Sequence, residues 1–510
     1  MKLNIIRRVR DNVHGSIDLS DLEDAVISHR IFQRLRRVKQ TAFLGLVFPG
    51  ASHTRFEHSL GVMHQAGRAW SKLKDNQFRI YDNSLKLSEF AKYETVTGEA
   101  YGLLTPTFDI MAQLFSSTYI MQALRLAALL HDIGHPPFSH SGERFLPKLR
   151  DIIDSNSDLP EYLREYLEAR VLAEGADTKA NHEVYTLLLI ERVLKDLYEN
   201  GLKYEMPIDP QDVISIIEPR IAPRSGSDLL NFEVNRLCNE LVSGEVDIDR
   251  MDYLLRDSRE CGVVYGLFDV DRIMDSLALY YSPRDERFHL AIQYSGLATF
   301  EDYLRARQSM YLQLYFHKTS VAGEAMLQNI AKRLHGWHLP ASMDNFVNLD
   351  ESNIFDHLVN AARDLLGESK QFEELEEQIR DLLLDRKLWK KVYEFTHHDE
   401  DSSREYTKQA CQSLKNLGVE YEYVSSMNAV TKFAFRRQQD ADCNYLGLIK
   451  KDGLQMLRVV PIDKYSEIFG QKNVIQIERL YVARNQRNSG TKANVVTNDL
   501  TELLMASDPS

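Results

Sequence analysis

Between Met121 and Leu130 (MQALRLAALL), apolar residues fall on nearly every side of a helical wheel, which predicts a deeply buried helix running to His131. Gly134 and Pro136-Pro137 stop it. Upstream, Ser20-Asp21-Leu22-Glu23 has the form of a capping box and predicts a helix from there towards Gln40, preceded by a short extended, turn-containing segment over 11–19. Further helices are predicted from near Glu57, over NHEVYTLLLIERVLKDLYENG with Gly201 as its stop, and from Ala298 to Leu334. In the last third, charged helical segments around Gln371–Phe395 give way to strand-like runs in NYLGLIKKDGLQMLRVV and NVIQIERLYVA. Lys451-Asp452-Gly453 predicts a hairpin turn, because Asp-Gly tolerates the positive φ angles that a tight hairpin requires. The expected fold class is mainly α: a helical core over 1–335, a smaller α+β region over 336–490 and a mobile tail over 491–510. Residues 72–118 read as an insertion.

Composition narrows the class. With 44% hydrophobic and 27% charged residues in a chain of 510, disorder, collagen-like structure and a disulfide scaffold are excluded, and more than one region is expected. No run approaches the roughly 18 apolar residues a membrane span needs, so a soluble, cytoplasmic protein with no membrane partner is expected. Cys238, Cys261, Cys411 and Cys443 lack CxxC spacing, which argues against a zinc knuckle. A net charge of −13 disfavours wholesale attraction to nucleic acid, while leaving room for a local basic surface.

The candidate chemistry is concentrated in LLHDIGHPPFSHSGE, where His131-Asp132 closes the buried helix and His135, His140 and Glu143 follow within a proline-bent stretch. An isolated histidine at an apolar helix end is ordinarily a hydrogen-bonded core residue; the surrounding segments change that reading. RFEHSLGV places His58 just after Arg55, and GEVDIDRMDYLLRD carries four aspartates on a largely helical segment. Imidazoles combined with carboxylates suit a divalent ion, Fe, Mn, Zn or Ni, and with more water Mg, and spacing does not choose among them. His140 and Glu143, three residues apart, would share a helical face as a general-acid pair. Arg307, Tyr311 and Tyr315 recur every four residues, and Tyr253 and Asp257 do so after Asp249.

The order H…HD…D, together with DNVHGSIDL, FQRLRRVKQ, FPGASHTRFEHSLGV, HDIGHPPFSH and DIDRMDYLLRD, resembles the HD superfamily of metal-dependent phosphohydrolases. Within it, the motifs are most similar to the branch of the SAM-and-HD-domain deoxynucleoside triphosphate triphosphohydrolase and the bacterial dGTPase-like enzymes, less tightly through YFHK to about residue 335. The resemblance implies a helical HD-domain core with His58, His131, Asp132 and Asp249 as metal ligands, Asp247 being structural. It implies hydrolysis of a dNTP to deoxynucleoside and triphosphate, with a metal-held water attacking the α-phosphate. His140 would protonate the departing 5′ oxygen, Glu143 standing where the family commonly has Asp, and His135 and His182 would contact phosphates. Arg55, Arg250 (in place of the usual Lys) and Arg307 would face the triphosphate. Tyr315 would pack on the sugar beside Tyr253 and Tyr311, and Asp257 and Gln40 would take the 3′-hydroxyl. A homo-oligomer, dimer or tetramer, and a nucleotide activator near Gln33 and Arg36 are also implied. Ser28 in place of the guanine-reading Asp, and Arg10 in place of Asn, weaken guanine-specific activation, although Arg7, Arg8, Arg10, Arg34, Arg36, Arg37 and Lys39 offer a basic run for phosphates.

Two other readings stay open on sequence alone. One keeps the metal site but acts on another nucleotide or phosphoester. In the other, the folded region is a non-catalytic module that binds nucleic acid or a partner.

Overall fold

The structure, a computed structural model, describes residues 3–85, 108–201, 203–282, 287–397, 404–429, 446–451, 457–470 and 474–483. It begins with a hairpin of β1 (Arg7–Asp11) and β2 (Gly15–Leu19), turned at Gly15, whose φ of +77° suits a residue without Cβ. The capping box forms: Glu23 N donates to Ser20 Oγ at 3.3 Å, Ser20 N donates to Glu23 Oε2 at 2.9 Å, and helix α1 (Asp21–Ser28) follows. That helix does not continue to Gln40. His29 adopts an extended conformation and its ring accepts from Ile31 N, starting a single turn (Arg30–Gln33) and then a 3-10 turn (Arg34–Arg37). The break turns Arg34 inward, where it is buried and donates to the carbonyls of Ile133, His135 and Leu349.

Helix α2 (Arg55–Leu85) starts before Glu57 and runs on through residues 72–85. Asn76 donates to the carbonyls of Met274 and Leu277, and Gln77 accepts from Leu279 N, so this stretch is fastened to the core. Residues 86–107, the rest of the segment read as an insertion up to the helix Phe108–Ser116, lie outside the described residues. Helix α3 (Thr118–Leu130) is buried on nearly all sides, and its Arg125 pairs at 2.6 Å with Glu23, joining α1 to α3. Helices α4 (His182–Glu199) and α5 (Ile248–Glu260) complete the inner layer. The pattern over 298–334 is two helices, α6 (Leu297–Met310) and α7 (Lys318–Arg333), separated by a π-helical turn at Tyr311–Tyr315 and a restart capped by His317. Such widened turns rotate the following side chains and are frequent at functional sites.

Beyond α5 lie β3 (Leu277–Ser282) and β4 (Arg287–Gln293), and the helix Lys370–Leu383 is followed by β5 (Lys390–His397), where a helix was expected to persist to Phe395. The run KKVYEF, with Val, Tyr and Phe, suits a pleated surface better than a helical one. The remaining strands are β6 (Tyr421–Ala429), β7 (Gly447–Lys451), β8 (Leu457–Pro461) and β9 (Val474–Val482). They form two sheets ordered β3-β4-β7-β8 and β5-β9-β6, the first containing one parallel pair, β4 with β7. Strands β7 and β8 are antiparallel, as a hairpin requires, but the Asp452-Gly453 turn and the tail over 491–510 lie outside the described residues. Residues on both sides of 336 share one apolar core: Leu126 of α3, Leu448 of β7 and Tyr481 of β9 belong to it. Among the described residues, no helix is long and apolar enough to cross a membrane.

Candidate metal centre

Three elements converge on one point. At the end of α3, His131 Nδ1 donates to Ala128 O at 2.8 Å, leaving Nε2 free to act as a ligand. In the first turn of α2, His58 Nδ1 donates to Asp252 Oδ2 at 2.8 Å, with the same effect. Asp247 caps α5 by accepting from Arg250 N at 3.1 Å, and Asp249 projects from the first turn behind it. Asp249 Oδ1 lies 2.9 Å from His58 Nε2 and 3.5 Å from His131 Nε2, and Asp132 Oδ2 lies 3.4 Å from each.

Metal bonds of about 2.0–2.2 Å to nitrogen and oxygen place neighbouring ligand atoms roughly 3.0–3.5 Å apart, so His58, His131 and Asp249 are spaced to hold one divalent ion, with Asp132 Oδ2 beside both imidazoles. Both Nε2 atoms are buried without a hydrogen-bond partner, which a coordinated ion would supply. Electrostatics agree. Burial disfavours an imidazolium at His58, yet Asp249 and Asp252 outweigh it and lift the pKa to about 10. Burial likewise opposes ionisation of Asp132 and Asp249, but Arg55, His131 and His135 around the first, and His131 and His58 around the second, hold both carboxyls low. The pocket is arranged to hold positive charge among ionised carboxylates.

Asp252 was counted in sequence among the four aspartates, with no role. It is fully buried and accepts from His58, from His14 Nε2 at 2.5 Å and from Arg256 at 2.9 and 3.0 Å. A Cβ at Gly61 would stand 1.9 Å from Asp252 Oδ1, so glycine is required there. Its three-residue spacing from Asp249 was the available signal. Asp252→Asn is expected to weaken metal affinity about 10- to 100-fold by releasing the His58 ring. Mn titration of the purified variant checks this, and wild-type affinity would refute the role.

A second cluster stands beside the first. The 3-10 turn Ser139–Phe145 carries His140 and Glu143, and its three-residue period eclipses them better than an α-helix would. His140 Nδ1 donates to Glu143 Oε1 at 2.8 Å, and His182 Nδ1, from the start of α4, donates to the same oxygen at 2.7 Å. His135 stacks on His182 with centroids 3.8 Å apart, and its Nε2 lies 3.2 Å from Asp132 Oδ1. Burial would raise the Glu143 pKa, but the two imidazole donors bring it down to about 2. Burial, Arg55 and His182 keep His135 neutral. His140 is largely solvent-facing.

The turn that presents His140 is braced from afar. Phe138 and Ser139 have φ of 65° and 51°, a left-handed pair costing about 1–2 kcal/mol per residue. Glu351 accepts from Phe138 N and Lys39 N, each at 3.1 Å, while Arg34 holds His135 O. Ser139 Oγ donates to Lys39 O at 2.7 Å and accepts from Arg55 Nε at 2.9 Å. Arg55 Nη1 also donates to Asp132 Oδ2, beside the candidate metal centre.

The remaining candidates form a polar wall. Tyr315 donates to Asp257 Oδ2 at 2.6 Å, and His53, missed in sequence, lies 2.6 Å from the other oxygen. Tyr253 and Tyr311 meet Tyr315 edge-on at 6.2 and 4.9 Å, with the Arg307 guanidinium 5.5 Å from the Tyr311 ring. Burial, chiefly, raises the Tyr253 phenol, which also feels Tyr311, Arg307, Arg250 and Asp249. Arg250 Nε lies 3.3 Å from Asp247 Oδ2. Gln40 N donates to His53 O at 3.1 Å, and its Oε1 is buried without a partner.

Gln33 and Arg36 engage each other at 2.9 Å, and Arg36 lies over the Phe56 ring at 3.5 Å. The basic run is not a single phosphate surface: Arg34 is buried, and Arg37, Arg7 and Arg8 pair with Asp350, Asp24 and Asp18 at 2.5, 2.8 and 2.7 Å.

Residues 111–257 match the HD domain family, and residues 268–424 the HD associated region. The uncharacterised protein YwfO of Bacillus subtilis is 30% identical over 373 residues, 69% of this chain and 66% of that protein. Human deoxynucleoside triphosphate triphosphohydrolase SAMHD1 is 26% identical over 340 residues, 64% of this chain and 44% of that protein. The chain spans about half to two thirds of the length of the curated relatives it matches. A crystal structure of a hypothetical protein from Aquifex aeolicus shares the fold at 22% identity and a TM-score of 0.61, covering 96% of this chain and 100% of that one. The phosphohydrolase BT4208 of Bacteroides thetaiotaomicron does so at 23% identity and a TM-score of 0.57, with 94% and 100% covered.

Proposed function

We propose that this chain, which belongs to the HD-domain family of metal-dependent phosphohydrolases, hydrolyses deoxynucleoside triphosphates to the deoxynucleoside and intact triphosphate. The observation that carries the reading is the meeting of three groups: His58, His131 and Asp249 spaced for a metal ion with Asp132 beside them, two imidazoles sharing Glu143, and a wall of Arg250, Arg307 and tyrosines ending in the Tyr315–Asp257 pair. A bound divalent ion would supply a water acidified towards neutrality and charge to neutralise phosphoryl oxygens.

The chain's own residues do the rest. Glu143 stays ionised and holds the Nδ1–H of His140, so the other ring nitrogen, Nε2, is the atom that delivers a proton to the 5′ oxygen. His182 and neutral His135 offer ring nitrogens to phosphate oxygens. Arg250 and Arg307 neutralise the triphosphate, Arg suiting bidentate contacts. Asp257 and Gln40 take the 3′-hydroxyl, and the Tyr315 ring closes the 2′ side, favouring deoxyribose. Arg55 holds Asp132 through one nitrogen and adds its charge towards the triphosphate. The reading extends to a homo-oligomer, dimer or tetramer, and to a nucleotide activator at Gln33 and Arg36.

Incubation with each dNTP and Mn or Mg is expected to yield deoxynucleoside and triphosphate in equal amounts, resolved by ion-pair chromatography. Inorganic phosphate or a monophosphate as product would move the substrate to another phosphoester. An absence of turnover with salt-dependent binding of single strands would favour a nucleic-acid module.

A further inference from the structure

The C-terminal sheet reaches the candidate substrate wall. Strand β6 is an edge of the sheet β5-β9-β6, and its side chains alternate: Glu422, Val424, Ser426 and Asn428 are buried or half-buried, whereas Tyr423, Ser425 and Met427 are exposed. The inward face lies against the helical core. Glu422 accepts from Lys332 at 2.6 Å and from Gln328 and Asn329, each at 3.0 Å, all on α7. Val424 packs on the main apolar core, and Tyr481 of the central strand β9 donates to Lys318 O at the start of α7. Six residues beyond Glu422, a span of about 20 Å along a strand, Asn428 Oδ1 accepts from Arg307 Nη2 at 3.2 Å.

We infer that Asn428 is a positioning residue for Arg307, so that the C-terminal sheet and the helical core build the triphosphate wall together. The chemistry of the acceptor supports an anionic occupant. A neutral amide oxygen orients a guanidinium without cancelling its charge, whereas a carboxylate in the same place would compete with phosphate for it. The inference rests on reading Arg307 as a phosphate contact.

The test uses the full chain loaded with metal and two readouts: calorimetric binding of inorganic triphosphate, and KM and kcat with a dNTP. Asn428→Ala is expected to weaken triphosphate binding and raise KM roughly 5- to 10-fold, the loss of one charge-assisted hydrogen bond, with kcat within about two-fold. The near-isosteric Asn428→Asp is expected to be worse than alanine; a packing role alone predicts the opposite order. Glu422→Gln, which loosens the far end of the strand, is expected to raise KM in the same direction. The inference is overturned if both Asn428 variants match the wild type while Arg307→Ala weakens binding. It falls together with the phosphate role if Arg307→Ala binds triphosphate normally. If the binding order holds but no dNTP is cleaved, the positioning role stands and the triphosphohydrolase reading fails.

Discussion

Asp249→Ala is expected to leave the chain folded, free of bound divalent metal and at least about 10³-fold less active, a loss of several kcal/mol of transition-state stabilisation. Asp249 Oδ1 lies 2.9 Å from His58 Nε2 and 3.5 Å from His131 Nε2, so its removal opens the cluster. The helix that carries it keeps its start, because the cap is Asp247. The side chain is 31% exposed, so alanine leaves no sealed cavity. His131→Ala should have the same effect on metal and turnover. Elemental analysis of purified protein, with melting curves and dNTP turnover, reads all three quantities. Normal metal content with normal turnover in either variant would remove the site.

Glu143→Gln should lower kcat about 10²- to 10³-fold with metal content unchanged. One carboxylate oxygen holds both imidazole Nδ1–H groups, at 2.8 and 2.7 Å. A glutamine oxygen in the same place can still accept from both rings, but without the negative charge that strengthens each bond. The variant therefore holds both histidines more loosely. A general-acid role makes a further demand: a 5′ alkoxide needs a proton to depart, whereas p-nitrophenolate does not. The deficit should shrink sharply on a p-nitrophenyl phosphodiester, and an equal deficit on both substrates would sink the assignment. The linkage has a definite sign. The folded Glu143 pKa, about 2, lies below the ordinary carboxylate value of about 4.3. Its contribution to stability is therefore complete above the ordinary value and lost as pH falls through about 2. The wild type should lose more stability than Glu143→Gln between those limits, which acid titration followed by circular dichroism measures.

Whatever depends on neighbours within one helical turn was legible in the residues themselves. The capping box at Ser20, the buried helix ending at His131, and strands β7, β8 and β9 follow from local caps and periodicity. The linear order of His58, His131-Asp132 and Asp249 marked candidate ligands through its resemblance to the HD motif. Only the tertiary structure decided which atoms meet. Asp252 orients His58 because α5 lies against α2 at Gly61. Glu143 serves His182 as well as His140 because α4 starts beside the 139–145 turn. Arg34 points inward because the chain breaks at His29, and Arg55 turns to Asp132 because Ser139 fixes its other nitrogen. Asn428 reaches Arg307 across 121 residues of chain. Sequence spacing governs which residues share an element's face. The site is made where several elements cross, and that depends on how their apolar faces pack, a choice no local pattern carries.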